Sequence, residues 1–268
     1  MWTSRWRRAA LWSAALAMLA AGACAAPEPA PPDEGLTDPP SSGGADLDVS
    51  GAELWLSFDD AQVGFDGSPE YADAQEGPFA GRVLTANGGT ARPVAGAPGR
   101  GRALAFPERC TDDSGCPRAL VEVPADPALE PGAAPFAYGA SVLLERDQTA
   151  IGSNIVQSGR FGSAGGQWKL QVDGADGRPS CVIRSGDEVL SVRSETGVAD
   201  GDWHRIVCRR DGRGISIDVD GSVERRAGPS GPLETGLPVR IGSPGTGDHD
   251  DQFHGIVDDV VVDIDPED

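Results

Sequence analysis

No CxxC pair, no H-E-x-x-H, no G-x-S-x-G and no phosphate-binding glycine loop occurs in the 268 residues. These gaps remove the common zinc, serine-hydrolase and nucleoside-triphosphate chemistries. Helical patterning is also missing: no amphipathic repeat of normal helix length stands out. Basic residues are scarce, with 22 Lys and Arg against 42 Asp and Glu and a net charge of −20. That balance excludes nucleic acid and anionic lipid headgroups as expected partners, and favours calcium or cationic and neutral ones. Lysine is almost absent: Lys169 stands alone beside 21 arginines.

What is present are short β runs punctuated by 37 glycines and 22 prolines. A β-sandwich of roughly 200–250 residues commonly forms one domain, so a single globular domain is expected. The N-terminus reads as a targeting segment over residues 1–23. Arg5, Arg7 and Arg8 form a positive start, and Ala9 to Ala21 is apolar but short for a membrane-spanning helix. Without it the chain has 19 basic and 42 acidic residues, or −23. Ala21-Gly22-Ala23-Cys24 is similar to a bacterial lipobox, in which Cys24 would be lipidated and become the new N-terminus. The motif usually has Leu where Ala21 stands, and an ordinary small-residue cleavage site is the alternative. Residues 24–50 are Pro-rich, poor in large apolar side chains and expected to be an extended tether.

Five cysteines are present. With Cys24 assigned to lipidation, Cys110, Cys116, Cys181 and Cys208 remain, an even number that reads as two disulfides in an exported chain. Three pairings are possible. Cys110 and Cys116 bracket a short loop, so a local bridge is natural, which would leave Cys181 and Cys208 to staple two strands.

The chain is organised around Gly201 to Gly221. Trp203 to Arg210 is a β run closed by Asp211-Gly212. Ile215, Ile217 and Val219 then alternate with Ser216, Asp218 and Asp220, the period of a half-buried strand. Asp220-Gly221 signals a tight hairpin, because both central positions need positive φ. Elsewhere Leu54, Leu56 and Phe58 share one face, as do Phe136, Tyr138, Ala140, Val142 and Leu144, and again Trp168, Leu170 and Val172.

The order D-G-x-W-H, a β run, then V-D-G resembles the laminin-G-like branch of the concanavalin A-like jelly rolls. Other landmarks follow in family order. They are Leu54 to Asp60, with Leu56 where that branch usually has Trp; Gly101 to Phe106; Leu120 to Pro124; Asn154 to Gly159; Val239 to Gly242; and Phe253 to Val262. The resemblance covers about residues 51–265. It implies an all-β, two-sheet antiparallel sandwich with its first and last strands adjacent. The arginine-rich, lysine-poor composition, with much Ala, Gly and Pro, fits GC-rich bacterial coding such as an actinobacterial one.

Laminin-G-like domains often hold calcium where the first and last strands meet. That resemblance puts Asp59 and Asp258 in the metal role, with Asp60 and Asp259 as weaker candidates and Asp66 or main-chain carbonyls completing the shell. Asp258 falls on the apolar face of the last strand with Ile256, Val260, Val262 and Ile264 unless a bulge intervenes. A carboxylate there needs a partner or a cation. The stretch Gly247 to His254, with His249, Asp250 and Asp251, fits no zinc spacing and reads as an exposed acidic loop. His204 is expected to be structural, bonded to a neighbouring strand. Glucanases of this superfamily carry E-x-D-x-x-E or E-x-D-x-E on one strand, whereas Asp258 to Asp263 and Asp218 to Asp220 lack the glutamates and the spacing. Tyr71 and Phe161, read as loop aromatics, are the candidates for stacking on a sugar. The expectation is therefore a non-catalytic, exported binding module, attached to the membrane only through its lipid, with a glycan or surface protein as partner. A glucanase-type hydrolase and a ligand-free envelope protein are the alternatives.

Overall fold

The computed structural model describes residues 49–266 except 111–113, 151, 161, 163–164 and 249–250. Cys24, the targeting segment, nearly all of the tether, Phe161, His249 and Asp250 lie outside the described residues. Seventeen strands among the described residues form two antiparallel sheets. The strands are β1 (Leu54–Leu56), β2 (Ala61–Val63), β3 (Pro69–Ala72), β4 (Ala80–Ala86), β5 (Arg92–Ala95), β6 (Arg102–Ala105), β7 (Arg118–Val123), β8 (Phe136–Leu143) and β9 (Ser153–Gly159). They continue as β10 (Gln167–Asp173), β11 (Arg178–Ser185), β12 (Glu188–Arg193), β13 (Trp203–Asp211), β14 (Gly214–Val219), β15 (Ser222–Ala227), β16 (Val239–Ile241) and β17 (Ile256–Ile264).

The first sheet runs β15-β14-β13-β8-β17-β6-β5, with β1 also paired to β17. The second runs β12-β11-β10-β9-β16-β7-β4-β3-β2. The first and last strands meet as expected, with Leu54 opposite Val262 and Leu56 opposite Val260. Both sheets have period-two patterning, so one face of each is apolar and the two close on one another. The shared core includes Leu54, Leu56, Phe58, Tyr138, Val142, Trp168, Leu170 and Val172, all buried. At its centre the Tyr138 and Trp168 ring centroids lie 4.7 Å apart, and Phe136 stacks on Tyr138 at 5.2 Å. A second, small apolar cluster lies on the outer face of the first sheet, where Ala52 meets Ala137, Val207 and Val261, with Val49 and Trp55 packed against them.

The predicted hairpin is present. Asp220 and Gly221 have φ of +52° and +87° and join β14 to β15. Cys110 is bonded to Cys116, and Cys181 to Cys208. The second bridge links β11 in one sheet to β13 in the other, so it ties the two layers of the sandwich together. Among the described residues no helix is long and apolar enough to cross a membrane.

Candidate functional site

The last strand is not regular. Opposite β8, Asp258 pairs with Ser141 and Val261 pairs with Gly139, so Asp259 and Val260 together face Ala140. This is a β-bulge. Asp259 takes the extra turn with φ +45°, a left-handed conformation that Asp tolerates better than most residues. The carbonyl freed there accepts a hydrogen bond from Arg205 Nη1 at 2.7 Å. The bulge reverses the side-chain parity, so Val257, not Ile256, joins Val260 and Val262 in the core. Asp258 therefore faces away from the core, correcting its assignment to the apolar face.

Asp258 is nevertheless fully buried, because the loop between β5 and β6 closes over it. A Cβ on Gly96 would come within 2.7 Å of Asp258 Oδ2, and one on Gly101 within 1.8 Å of Asp59 Oδ1. Glycine at both positions lets this loop lie against two carboxylates. Asp59 Oδ1 accepts the Arg102 amide at 2.8 Å. Asp258 Oδ1 accepts the Asp259 amide at 2.8 Å, while Oδ2 has no hydrogen-bond partner. Burial, reinforced by the charges of Asp259 and Asp59, pushes the Asp258 carboxyl up to about 7.

The other predicted ligands stand apart from this pair. Asp259 is engaged by Trp55 Nε1 at 2.8 Å, and Arg100 Nη1 lies 3.7 Å from its other oxygen. Asp60 is exposed. Asp66 caps its own turn through the Ser68 amide at 3.0 Å and pairs with Arg82 at 3.3 Å. Among the described residues no group of three or more His, Cys, Asp or Glu side chains is arranged to hold a metal ion. The unpartnered, buried Oδ2 of Asp258 beside Asp59 does fit a hard cation that prefers oxygen. The rest of a calcium shell would have to come from main-chain carbonyls and water.

Three other expectations are corrected or refined. Tyr71 is no loop residue: it lies in β3, is 1 % exposed and packs edge-on against Phe58 at 5.3 Å. The stretch before β17 is not an exposed loop throughout. Asp248 Oδ1 accepts the Gly115 amide at 3.2 Å, and Gln252, Phe253 and His254 are buried. His254 Nδ1 lies 2.8 Å from the Pro107 carbonyl, and burial lowers the tendency of its ring to protonate. His204 bonds two turn residues in place of a strand: Nδ1 lies 2.6 Å from Asp220 Oδ2 and Nε2 lies 2.9 Å from Asp200 Oδ1.

Two surface features had no counterpart in the sequence reading. One is the tip of the β2–β3 hairpin, where Val63 and Phe65 are fully solvent-facing at 83 % and 110 % exposure. The other is a cleft of about 930 Å³ at one end of the sandwich. The turn from β13 to β14, the end of β15, the start of β8 and the residues after β17 line it. That volume is within the range that holds small organic ligands, roughly 300–1,000 Å³. A cleft formed by residues from four strands and two connecting segments leaves no periodic trace in sequence.

A two-sheet antiparallel jelly roll with its terminal strands paired defines the concanavalin A-like class. The family profile described as the concanavalin A-like lectin/glucanases superfamily, in its laminin G form, matches residues 122–263, and the chain belongs to that family. No curated protein sequence matches the chain. Among solved structures, the binding domain of Paraclostridial Mosquitocidal Protein 1 superposes with a TM-score of 0.54 at 8 % identity, over 81 % of this chain and 50 % of that one. The binding domain of botulinum neurotoxin DC, solved in complex with SialylT, gives 0.54 at 10 % identity, over 82 % of this chain and 49 % of that one. Domain 4 of AbnA, a GH43 extracellular arabinanase from Geobacillus stearothermophilus solved in complex with arabinotriose, gives 0.57 at 14 % identity, over 79 % of this chain and 91 % of that one. The chain spans about half the length of the two toxin domains. At these identities the similarities show a shared fold.

Proposed function

We propose that this chain is a non-catalytic binding module that takes a carbohydrate in the cleft at the end of the sandwich. The carrying observation is that cleft: a concavity of about 930 Å³ built from the ends of several strands on a rigid two-sheet frame. Two of the structurally similar domains were solved with sugars, SialylT and arabinotriose. The chemistry of the carboxylates supports binding over hydrolysis. A glycosidase needs an acid with a raised pKa at the scissile bond. Asp258 has such a pKa, yet it is sealed beneath the loop at Gly96 and cannot meet a substrate. In this reading the chain is exported, held at the membrane through lipidated Cys24, and carries a structural calcium on Asp258 and Asp59 that neutralises the buried charge of Asp258. The two disulfides suit an oxidising compartment.

A glycan array probed with the full chain, in calcium and in EDTA, tests the proposal. Retention on one sugar class without release of reducing ends supports it; turnover of laminarin or xylan restores the hydrolase. A silent array turns the reading to a protein partner, which one observation favours: Val63 and Phe65 stand exposed on an edge hairpin. A similar domain, that of botulinum neurotoxin DC, was solved with rat synaptotagmin II. Replacing Phe65 with Ser would then abolish capture of that partner and leave stability unchanged.

A further inference from the structure

The end cleft is walled by Arg209, Arg210, Arg213, Arg225 and Arg226. Among the described residues, Asp211 and Asp265 are the acids in its lining. Five arginines around one concavity contrast sharply with a chain of net charge −20. Asp211 is already in use: its Oδ1 accepts the Arg213 and Gly214 amides at 2.7 and 3.0 Å. Its other oxygen lies 3.9 Å from Arg225 Nη1, a loose contact between exposed groups.

Arg210 makes the excess charge structural. It is 3 % exposed, and its guanidinium lies 4.7 Å over the Phe136 ring. Nη2 donates to the carbonyls of Gly132 and Ala134, and Nη1 has no hydrogen-bond partner. Among the described residues its neighbours are these carbonyls and the Phe136 ring, with no carboxylate paired to it. A desolvated cation without a counter-charge is costly, and an anion close above it offsets that cost. Among the described residues Arg213 and Arg226 meet no side-chain partner and stand exposed on the rim; Arg226 shares the face of Ile215 and Arg210, whereas Arg209 points from the opposite face of β13 beside Ala137. The guanidinium fork matches carboxylate and sulfate oxygens two at a time.

From this we infer that the end cleft binds a short acidic oligosaccharide, through carboxylate or sulfate groups held by Arg213 and Arg226 beside the buried Arg210. The inference rests on the carbohydrate-module reading and specifies the charge of the sugar. Length follows from electrostatics. The field of a strongly acidic protein repels a long polyanion, whereas a few charges seated in the cleft meet arginine at short range. The ligand is thus a short chain or the acidic end of a larger, mostly neutral glycan.

Isothermal titration of the full chain with three probes tests it: tetragalacturonate for carboxylate, a carrageenan tetrasaccharide for sulfate, and neutral maltotetraose. Binding of either acidic probe, with none of maltotetraose, is expected, and the probe that binds names the group. The double change Arg213→Glu and Arg226→Glu should weaken that binding about tenfold or more, because two charge-assisted contacts become repulsive. Both residues are exposed, so the melting temperature should hold; Arg226→Ser alone provides a milder loss of one fork. Equal binding by the native chain and both variants overturns the inference, as does failure of both acidic probes. A neutral hit on the glycan array then leaves the module standing with a different subsite, whereas a silent array removes both readings together.

Discussion

His204 Nδ1 lies 2.6 Å from Asp220 Oδ2, and the same Asp220 carboxylate accepts the Arg205 amide at 2.8 Å. One turn residue thereby fixes both a side chain and the backbone of β13. With Asp200 on the other ring nitrogen, the imidazole is held between two carboxylates. The bond to Asp220 contributes most, outweighs the burial of the ring, and raises His204 from 6.5 to about 9. The sign follows from linkage. A raised histidine pKa stabilises the fold fully below the unfolded value and loses that effect as pH rises through the folded one. Stability should therefore decline between about pH 6.5 and 9. Allowing for solvent screening around the half-exposed Asp200, the loss is about 1–2 kcal/mol. Thermal melts across this range should show the decline in the native chain and, above about pH 8 where Asp258 has finished titrating, a flat profile in His204→Gln. An identical alkaline slope in both would refute the assignment.

Asp258 makes the opposite case. Its carboxyl is raised to about 7 chiefly by burial, so the folded state holds a proton that the unfolded state has released. Stability contributed by this group falls as pH climbs from about 4 to about 7 and stays low above that, by at most about 4 kcal/mol. Asp258→Asn keeps an acceptor for the Asp259 amide and removes the charge. In EDTA at pH 8 this variant should be more stable than the native chain by about 2–4 kcal/mol, and near pH 4.5 the two should agree. Calcium should reverse the order at pH 8, since only the native carboxylate would gain from the ion. Melts in EDTA and in millimolar calcium decide it: native stability indifferent to calcium would end the calcium reading.

The two disulfides should differ in weight. Cys181 and Cys208 are 27 residues apart and join the two sheets, whereas Cys110 and Cys116 are 6 apart within one loop. The loop-closure entropy removed from the unfolded chain grows with the logarithm of loop length, giving about 3–4 kcal/mol for the longer loop and about 2 kcal/mol for the shorter. Cys181 and Cys208 are also buried in the core, so paired alanines there lose packing as well. Urea denaturation of the two double-alanine variants should rank them in that order. Equal losses would show that the inter-sheet bridge does not act by chain restriction.

Much of this architecture was legible in the sequence because alternation reports directly on which face a strand buries. Leu54 and Leu56, then Phe136, Tyr138, Ala140 and Val142, then Trp168, Leu170 and Val172 all point inward as their period requires. The Asp220-Gly221 turn was equally readable, since few residue pairs accept two positive φ values. Strand period alone puts Asp258 inward unless a bulge intervenes, and only the partner strand decides it: Ala140 faces two residues at once. Tyr71 reads as a loop residue in sequence because β2 and β3 are short, mostly exposed edge strands with little alternation to detect. The arginine cleft was invisible for a different reason. Arg213 and Arg226 read as solvated charges along a meander, and only the sheet order brings the ends of β8, β13, β14 and β15 and the residues after β17 together.

Gly242 offers a strict test of how the last strands pack. Its φ is +85°, and a Cβ there would come within 2.0 Å of the Phe106 ring. The residue also joins three segments: its amide donates to Ile155 at 2.9 Å, and its carbonyl accepts from Phe253 at 2.7 Å and from Gln252 Nε2 at 2.9 Å. Those bonds hold the backbone where it is, so it cannot turn away from a new side chain. Phe106 is 4 % exposed and packs edge-on against Phe253, which leaves the ring little room to retreat. Gly242→Ala should thus carry two separate penalties, about 1–2 kcal/mol for the left-handed backbone and about 1–3 kcal/mol for overpacking. Phe106→Ala alone should cost about 3–5 kcal/mol by opening a cavity. In the double variant the overpacking penalty vanishes while the backbone penalty stays, so the combined loss should fall short of the sum by about 1–3 kcal/mol. Urea titration of the three variants measures that shortfall. Strict additivity would mean that the Gly242 loop shifts away from the ring and that the cost of alanine is backbone strain alone.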